Sequence, residues 1–267
     1  MDRAPNLVEV AADPIWGELC RSAQELAALE PFLRRQLEQL VLSQATPAAI
    51  LAALLARRLA CASLAEPELY ALIGEVLAAH PEVVDEAAAD LRAVTERDPA
   101  CPGLLHVLLN LKGFAAIQIY RVAHRLWQQG RQALAFALSN QAAIVLCVDI
   151  HPAARIGRGV MFDHADGIVV GETAVIEDEV SILQGVTLGG TGKEHGDRHP
   201  KIRDGVMIGA GAKILGNIEI GEMSKVAAGS VVLKPVPAHC TVAGVPARVV
   251  RRHRDGSCPA LDMDQAI

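Results

Sequence analysis

The stretch IRDGVMIGAGAKILGNIEIGEMSKVAAGSVV, residues 202–232, carries an apolar side chain at every sixth position: Ile202, Ile208, Ile214, Ile220, Val226 and Val232. A helix repeats its buried face every 3.6 residues and a strand every two, so a period of six belongs to a larger unit. That unit is the hexapeptide repeat of a parallel β-helix. Each hexad is one short strand plus a corner, and three hexads make one triangular coil. Upstream, the same spacing runs through Ile150, Ile156, Phe162, Ile168, Ala174, Val180 and Val186. Sixteen positions separate Val186 from Ile202, one hexad and ten extra residues. Repeat architectures put insertions on their binding face. The extra stretch, about residues 191–201, is therefore the expected functional loop.

The two halves of the chain differ in composition. Residues 1–147 are rich in Ala, Leu, Glu and Arg, which favour helix. Ile15, Leu19, Ala23 and Leu26 share one face, as do Leu69, Leu72, Ile73, Val76 and Leu77. Thr46-Pro47 reads as a helix start, with threonine as cap and proline in the first turn. From residue 148 glycine and β-branched residues replace leucine. The expected fold class is α+β, with an α-helical bundle over 1–147, a β-helix over 148–250 with one inserted loop, and a flexible tail over 251–267. A solenoid needs covers at its ends. The bundle can supply one, and the segment from Pro235 through Pro246 the other.

Composition narrows the function. The chain is 51% hydrophobic but 3% aromatic, with a net charge of -6. That balance gives no support for nucleic acid or an anionic membrane as partner. The basic group Arg248, Arg251, Arg252 and Arg254 reads as a solvated tail. Six scattered cysteines without CxxC spacing read as reduced thiols. No leader pattern and no long apolar run is present, so a cytoplasmic protein is expected.

Three polar clusters could carry chemistry: Val148-Asp149-Ile150-His151-Pro152, Phe162-Asp163-His164-Ala165-Asp166-Gly167, and Gly196-Asp197-Arg198-His199-Pro200. Asp149 and His164 lie 15 apart, close to the 18 of one coil. Stacked coils sit about 4.8 Å apart, so the two side chains can meet. A carboxylate beside an imidazole fixes its tautomer and stabilises the imidazolium, which makes a general base. The plainer alternative is a surface histidine in a polar turn. Arg198 could bind a carboxylate in bidentate fashion, or be a solvated loop charge. Asp98, in Arg97-Asp98-Pro99, reads on its own as a turn former. His195 has no second ligand at suitable spacing, so no metal site is expected. Neither a phosphate loop nor a nucleophile elbow is present, which favours direct transfer over covalent catalysis.

These clusters and several further runs together resemble the serine O-acetyltransferase family of the left-handed β-helix acyltransferases. The further runs are Arg97-Asp98-Pro99-Ala100, Leu111-Lys112-Gly113-Phe114, Gly167-Ile168-Val169-Val170-Gly171-Glu172-Thr173, Val186-Thr187-Leu188-Gly189-Gly190-Thr191-Gly192-Lys193 and Ala243-Gly244-Val245-Pro246-Ala247-Arg248. The resemblance spans nearly the whole chain. It implies transfer of acetyl from acetyl-CoA, a co-substrate and not a tightly bound cofactor, to L-serine. The product, O-acetyl-L-serine, opens cysteine biosynthesis. It implies His164 as general base with Asp149 as partner. Asp98 and Asp163 would hold the serine ammonium, and Arg198 with His199 its carboxylate. Acetyl-CoA would lie near Gly190, Thr191, Ala210 and Ala228, and L-cysteine would inhibit at the serine site. The family pattern also implies a homotrimer paired into a hexamer, and cysteine synthase binding through the C-terminal Ile267. The run Gly221–Ala228 departs from the family's regular glycine-rich hexads. Other readings of the same residues are an acetyltransferase for a sugar or drug hydroxyl, a metal-dependent solenoid like the γ-class carbonic anhydrases, and a non-catalytic scaffold.

Overall fold

The computed structural model describes residues 14–192, 195–253 and 257–266. Eight helical segments come first: α1 (Pro14–Leu29), α2 (Arg34–Leu37, running into a π-helical turn Glu38–Leu42), α3 (Pro47–Leu59), α4 (Glu66–Ala79), α5 (Glu82–Arg97), α6 (Leu104–Asn110), α7 (Lys112–Gln128) and α8 (Gln132–Leu146). Thr46 caps α3 as the sequence implies, its hydroxyl accepting the Ala49 N–H at 3.1 Å with Pro47 in the first turn. Ile50, Leu51, Leu54, Leu55 and Leu59 of α3 are buried at 1% exposure or less, so α3 is the centre of the bundle. Each such side chain contributes about 1.5–3 kcal/mol of burial.

The chain turns at Cys147, in the left-handed region at φ 56°, and enters the solenoid. Its coils run β1 (Val148–Ile150), β2 (Arg155–Ile156), β3 (Met161–Asp163), β4 (Ile168–Val170), β5 (Val175–Ile176), β6 (Ser181–Leu183), β7 (Thr187–Gly189), β8 (Lys201–Ile202), β9 (Met207–Ile208), β10 (Lys213–Leu215), β11 (Glu219–Ile220), β12 (Lys225–Val226) and β13 (Val231–Val232). Three parallel sheets form the faces of a left-handed prism: β1-β4-β7-β10-β13, β2-β5-β8-β11, and β3-β6-β9-β12 continuing into β14 (Cys240–Gly244). β15 (Ala247–Arg252) pairs antiparallel with β14 and closes the far end.

The structure corrects the register read from the sequence. Ile150 stacks on Val170, Val170 on Leu188 and Leu188 on Ile214, with Phe162 on Ile182 and Ile156 on Ile176. Ile168, Ala174, Val180 and Val186 belong to a second inward-facing set, two residues earlier in each strand, and are also fully buried. The spacing of six crosses from one set to the other without a break, because both sets are apolar. The ten extra residues are thus split. Two enter at the corner between Phe162 and Val170, making the first coil 20 residues long, and eight enter between Leu188 and Ile202.

Helices and solenoid are joined by a buried polar network. Asp90 of α5 is fully buried and accepts from Arg121 Nη2 at 2.7 Å, Gln118 Nε2 at 2.9 Å and the Val160 N–H of the first coil at 3.0 Å. Arg121 of α7 also donates to the Gly157 carbonyl at 2.7 Å. Arg97, at the end of α5, pairs with Glu179 and donates to Ser181 Oγ at 3.1 Å.

His124 on α7 adds a pH-dependent tie to the same coil. Its Nδ1 donates to the Pro152 carbonyl at 2.8 Å, and Nε2 accepts from Gln128 at 2.9 Å, an arrangement only the neutral ring satisfies. Burial lowers its pKa below the usual value. The unfolded chain therefore takes up the proton first, near pH 6.5, and stability present above about pH 6.5 is lost as pH falls toward the folded-state pKa. Melting temperature should be flat above about pH 7 and drop below about 6.5, and His124→Gln should shallow that drop. An unchanged slope in the variant would remove His124 from the account.

The described part of the tail, residues 257–266, lies against the solenoid. α9 (Pro259–Asp262) packs on the third face, where Ala260 is fully buried, its N–H donates to the Gly205 carbonyl at 3.3 Å and its carbonyl accepts from Ser181 Oγ at 2.9 Å. The buried Lys225 ammonium finds its acceptors there, donating to the Asp264 carbonyl at 2.7 Å. A buried cation without acceptors is costly, which ties the tail to this face. Among the described residues no helix is long and apolar enough to cross a membrane. Ile267 lies outside the described residues.

Candidate active site

The two-residue enlargement of the first coil sets the site. It places Asp163 at the end of β3 and puts His164 and Ala165 consecutively in the left-handed region, at φ 53° and 63°. Two adjacent non-glycine residues there are uncommon, and such backbone clusters at working sites. The His164 ring projects outward with its side chain 76% exposed. The first turn of α7 lies against this corner. A Cβ at Gly113 would meet the Phe162 carbonyl oxygen at 2.0 Å, so only glycine allows the approach. Lys112 Nζ donates to Asp166 Oδ1 at 2.6 Å and pins the far side of the turn.

A cavity of about 270 Å³ opens here, lined by Asp98, Lys112, Gly113, Phe162, Asp163 and His164 among others. Asp98 ends α5, and its Oδ1 accepts the Ala100 N–H at 2.8 Å, the turn role the sequence suggests. It also faces the cavity. Burial raises the Asp163 pKa, the His164 ring opposes that shift, and the Asp98 charge adds to it. Two carboxylates held this close favour a cation between them.

The structure separates residues that sequence spacing puts together. The carboxylate beside His164 is Asp163, whose Oδ1 lies 3.9 Å from Nε2. Asp149 is exposed on the outward side of β1, beside Val169, and no ion pair or hydrogen bond joins it to His164 among the described residues. Arg198 and His199 occupy a different edge of the prism, beyond β4. Their backbone N–H groups donate to Thr173 Oγ1 at 3.0 and 3.1 Å. From Gly167 to Glu172 the face is about 15 Å wide at strand geometry. Within one chain, Arg198 therefore belongs to a second edge.

That second edge is well built. Arg198 Nη2 donates to Glu172 Oε2 at 2.6 Å, which lowers the Glu172 pKa. His199 is 7% exposed and packs over Gly171. Burial, and then the Arg198 charge, lower its pKa. A Cβ at Gly171 would sit 2.0 Å from His199 Cδ2. Gly171→Ala must push the ring out, at an expected cost of about 1–3 kcal/mol by urea unfolding. A neutral result would show that the ring has room to move.

The four residues expected near acetyl-CoA divide between the edges. Ala210 and Ala228 continue the His164 corner coil by coil, through N–H to carbonyl links from Gly185 to Asp166 at 2.7 Å, Gly211 to Gln184 at 2.8 Å and Gly229 to Ala210 at 2.8 Å. Gly190 and Thr191 lie with Arg198, where a Cβ at Gly190 would touch Arg198 Cγ at 3.5 Å. Sequence reasoning gave no role to Glu172, Thr173 or Lys112. They stand in two of the runs that carry the family resemblance, but nothing in those runs marks the contacts they make.

The coils and the exposed corner imidazole define the class, the hexapeptide-repeat transferases. The bacterial transferase hexapeptide model (six repeats) matches residues 199–234, and the model for the serine acetyltransferase N-terminal region matches residues 15–119. Serine acetyltransferase of Escherichia coli (strain K12) is 54% identical over 94% of this chain and 92% of its own. A serine acetyltransferase solved in complex with cysteine is 53% identical, covering 95% of this chain and 98% of that one at TM-score 0.93. Serine acetyltransferase of Brucella abortus strain S19, solved with coenzyme A, is 50% identical over 91% of this chain and 97% of that one, at TM-score 0.89. The chain belongs to the serine acetyltransferase family.

Proposed function

We propose that this protein transfers the acetyl group of acetyl-CoA to the hydroxyl of L-serine, giving O-acetyl-L-serine and CoA, the first step from serine toward cysteine. The observation that carries the reading is the cavity where Asp98 and Asp163 face each other beside the exposed ring of His164. Serine seats its ammonium between the two carboxylates. His164 takes the hydroxyl proton as the oxygen attacks the thioester carbonyl. The tetrahedral intermediate collapses, the C–S bond breaks, and the imidazolium returns the proton to the CoA thiolate. No acyl-enzyme forms. Asp149, which among the described residues makes no bond to His164 in the single chain, is read as the partner that steadies the imidazolium in the assembled, substrate-bound site. Acetyl-CoA lies along the Ala210 and Ala228 edge, whose backbone N–H groups face the developing oxyanion.

Arg198 and His199 supply the carboxylate site from the second edge. Because one chain holds its two edges about 15 Å apart, the complete site forms between neighbouring copies. Gly190 and Thr191 of one copy then flank the acetyl-CoA on the next. A trimer satisfies this around a threefold axis, and the helical halves join two trimers into a hexamer. L-cysteine carries the same ammonium and carboxylate with a thiol in place of the hydroxyl, and competes for the same seat. The relative solved with cysteine supports this reading. Ile267 would carry the contact with cysteine synthase, and the protein would act in the cytoplasm.

The test follows thiol release from acetyl-CoA. Serine-dependent release is expected, whereas turnover with a sugar hydroxyl and none with serine would overturn the reading. His164→Ala and Arg198→Ala are each expected to be inactive, and mixed assemblies of the two to regain activity. Mixtures no more active than their parents would overturn the shared site.

A further inference from the structure

Thr173, next to the Arg198 partner Glu172, is the meeting point of the inserted loop's return limb. Its hydroxyl oxygen accepts the backbone N–H of Arg198 at 3.0 Å and of His199 at 3.1 Å. Its own O–H faces His199 Nδ1 at 2.9 Å, and its backbone N–H donates to the same Nδ1 at 3.2 Å. A hydroxyl has one proton and two lone pairs, and all three are used. A backbone N–H is always a donor, so Nδ1 must accept and the ring proton must sit on Nε2. Lys201 closes the arrangement from below, its Nζ donating to the carbonyls of Thr173 at 2.9 Å and His199 at 2.7 Å and to Asp197 Oδ1 at 2.6 Å.

We infer that Thr173 is a positioning residue for the carboxylate site, holding His199 as a neutral Nε2–H donor and fixing the backbone from which Arg198 reaches the substrate. The inference rests on the reading of Arg198 and His199 as the serine carboxylate site. It extends that reading to a residue that touches no substrate. A loop that enters with eight extra residues must be tied down where it rejoins the coil, or its side chains sample many positions. One hydroxyl does this for two successive residues, and together with the Thr173 N–H it sets the hydrogen-bonding character of one of them.

Thr173→Val keeps the shape and removes the hydroxyl, while Thr173→Ser keeps the hydroxyl. In the full-length enzyme the valine variant is expected to raise the serine KM about tenfold, with kcat and the acetyl-CoA KM within about twofold. The serine variant should return to near the wild-type values. With ¹⁵N-labelled histidine, His199, assigned against a His199→Gln spectrum, should be a single Nε2–H tautomer in the wild type, and its Nδ1 resonance should move in the valine variant, which loses the hydroxyl donor to Nδ1 but keeps the backbone N–H. An unchanged serine KM with an unchanged Nδ1 resonance would overturn the inference. So would an equal fall in all kinetic parameters in both variants, which is the mark of general structural damage. If the wild-type enzyme releases no CoA with serine, the proposed activity fails. The Nδ1 comparison then still decides the role of Thr173.

Discussion

Replacing His164 by alanine is expected to lower serine-dependent CoA release by about 10²–10⁴-fold, the range for loss of a general base. The effect should fall on kcat, because the ring projects from its corner and contributes little to packing. Serine binding should survive, since Asp98 and Asp163 remain. Folding should also be unaffected, because the turn is held by the Lys112–Asp166 pair and by the Gly167 N–H donating to the Cys147 carbonyl at 2.8 Å. Steady-state kinetics with both substrates and a thermal melt check all three expectations. A variant that keeps more than a tenth of wild-type kcat would remove His164 from the chemistry. Asp149→Asn should show a smaller loss, also in kcat.

The largest expected loss of stability comes from Asp90→Ala. This carboxylate is fully buried and holds Arg121, itself 3% exposed, together with Gln118 and the Val160 N–H. Removing it leaves a buried guanidinium without its main counter-charge. Breaking one side of a buried pair costs about 3–5 kcal/mol. Glu86, whose carboxylate accepts from Arg121 Nη1 at 2.8 Å, offsets part of this. Because the network joins α5, α7 and the first coil, the His164 corner should loosen with it. Urea unfolding of the variant should show a lower midpoint. A loss below about 1 kcal/mol would mean that Glu86 and solvent replace Asp90 without penalty.

The solenoid was legible because a period of six has no other simple source. The helix start at Thr46-Pro47 was legible because its signal is local, a hydroxyl and a proline in sequence order. The slip of two at the His164 corner was hidden. Ile168 stands six residues after Phe162, yet it belongs to the other inward set. Only the polar run Asp163-His164-Ala165-Asp166, longer than most corners, could have marked it. Thr173 was hidden for a different reason. Its partners lie about 25 residues away, across an insertion whose path no periodicity records.

The sequence by itself determined the architecture and the family. Stacked aliphatic side chains leave one geometry able to bury them all, and that requirement is written in the spacing. The tertiary structure decided where the functional groups stand relative to one another. It put Asp98 opposite Asp163, moved Arg198 and His199 to a second edge, and made Thr173 the tie between them. Those positions depend on which corner each residue occupies. A shift of two residues at one corner changes that occupancy while leaving the hydrophobic pattern intact.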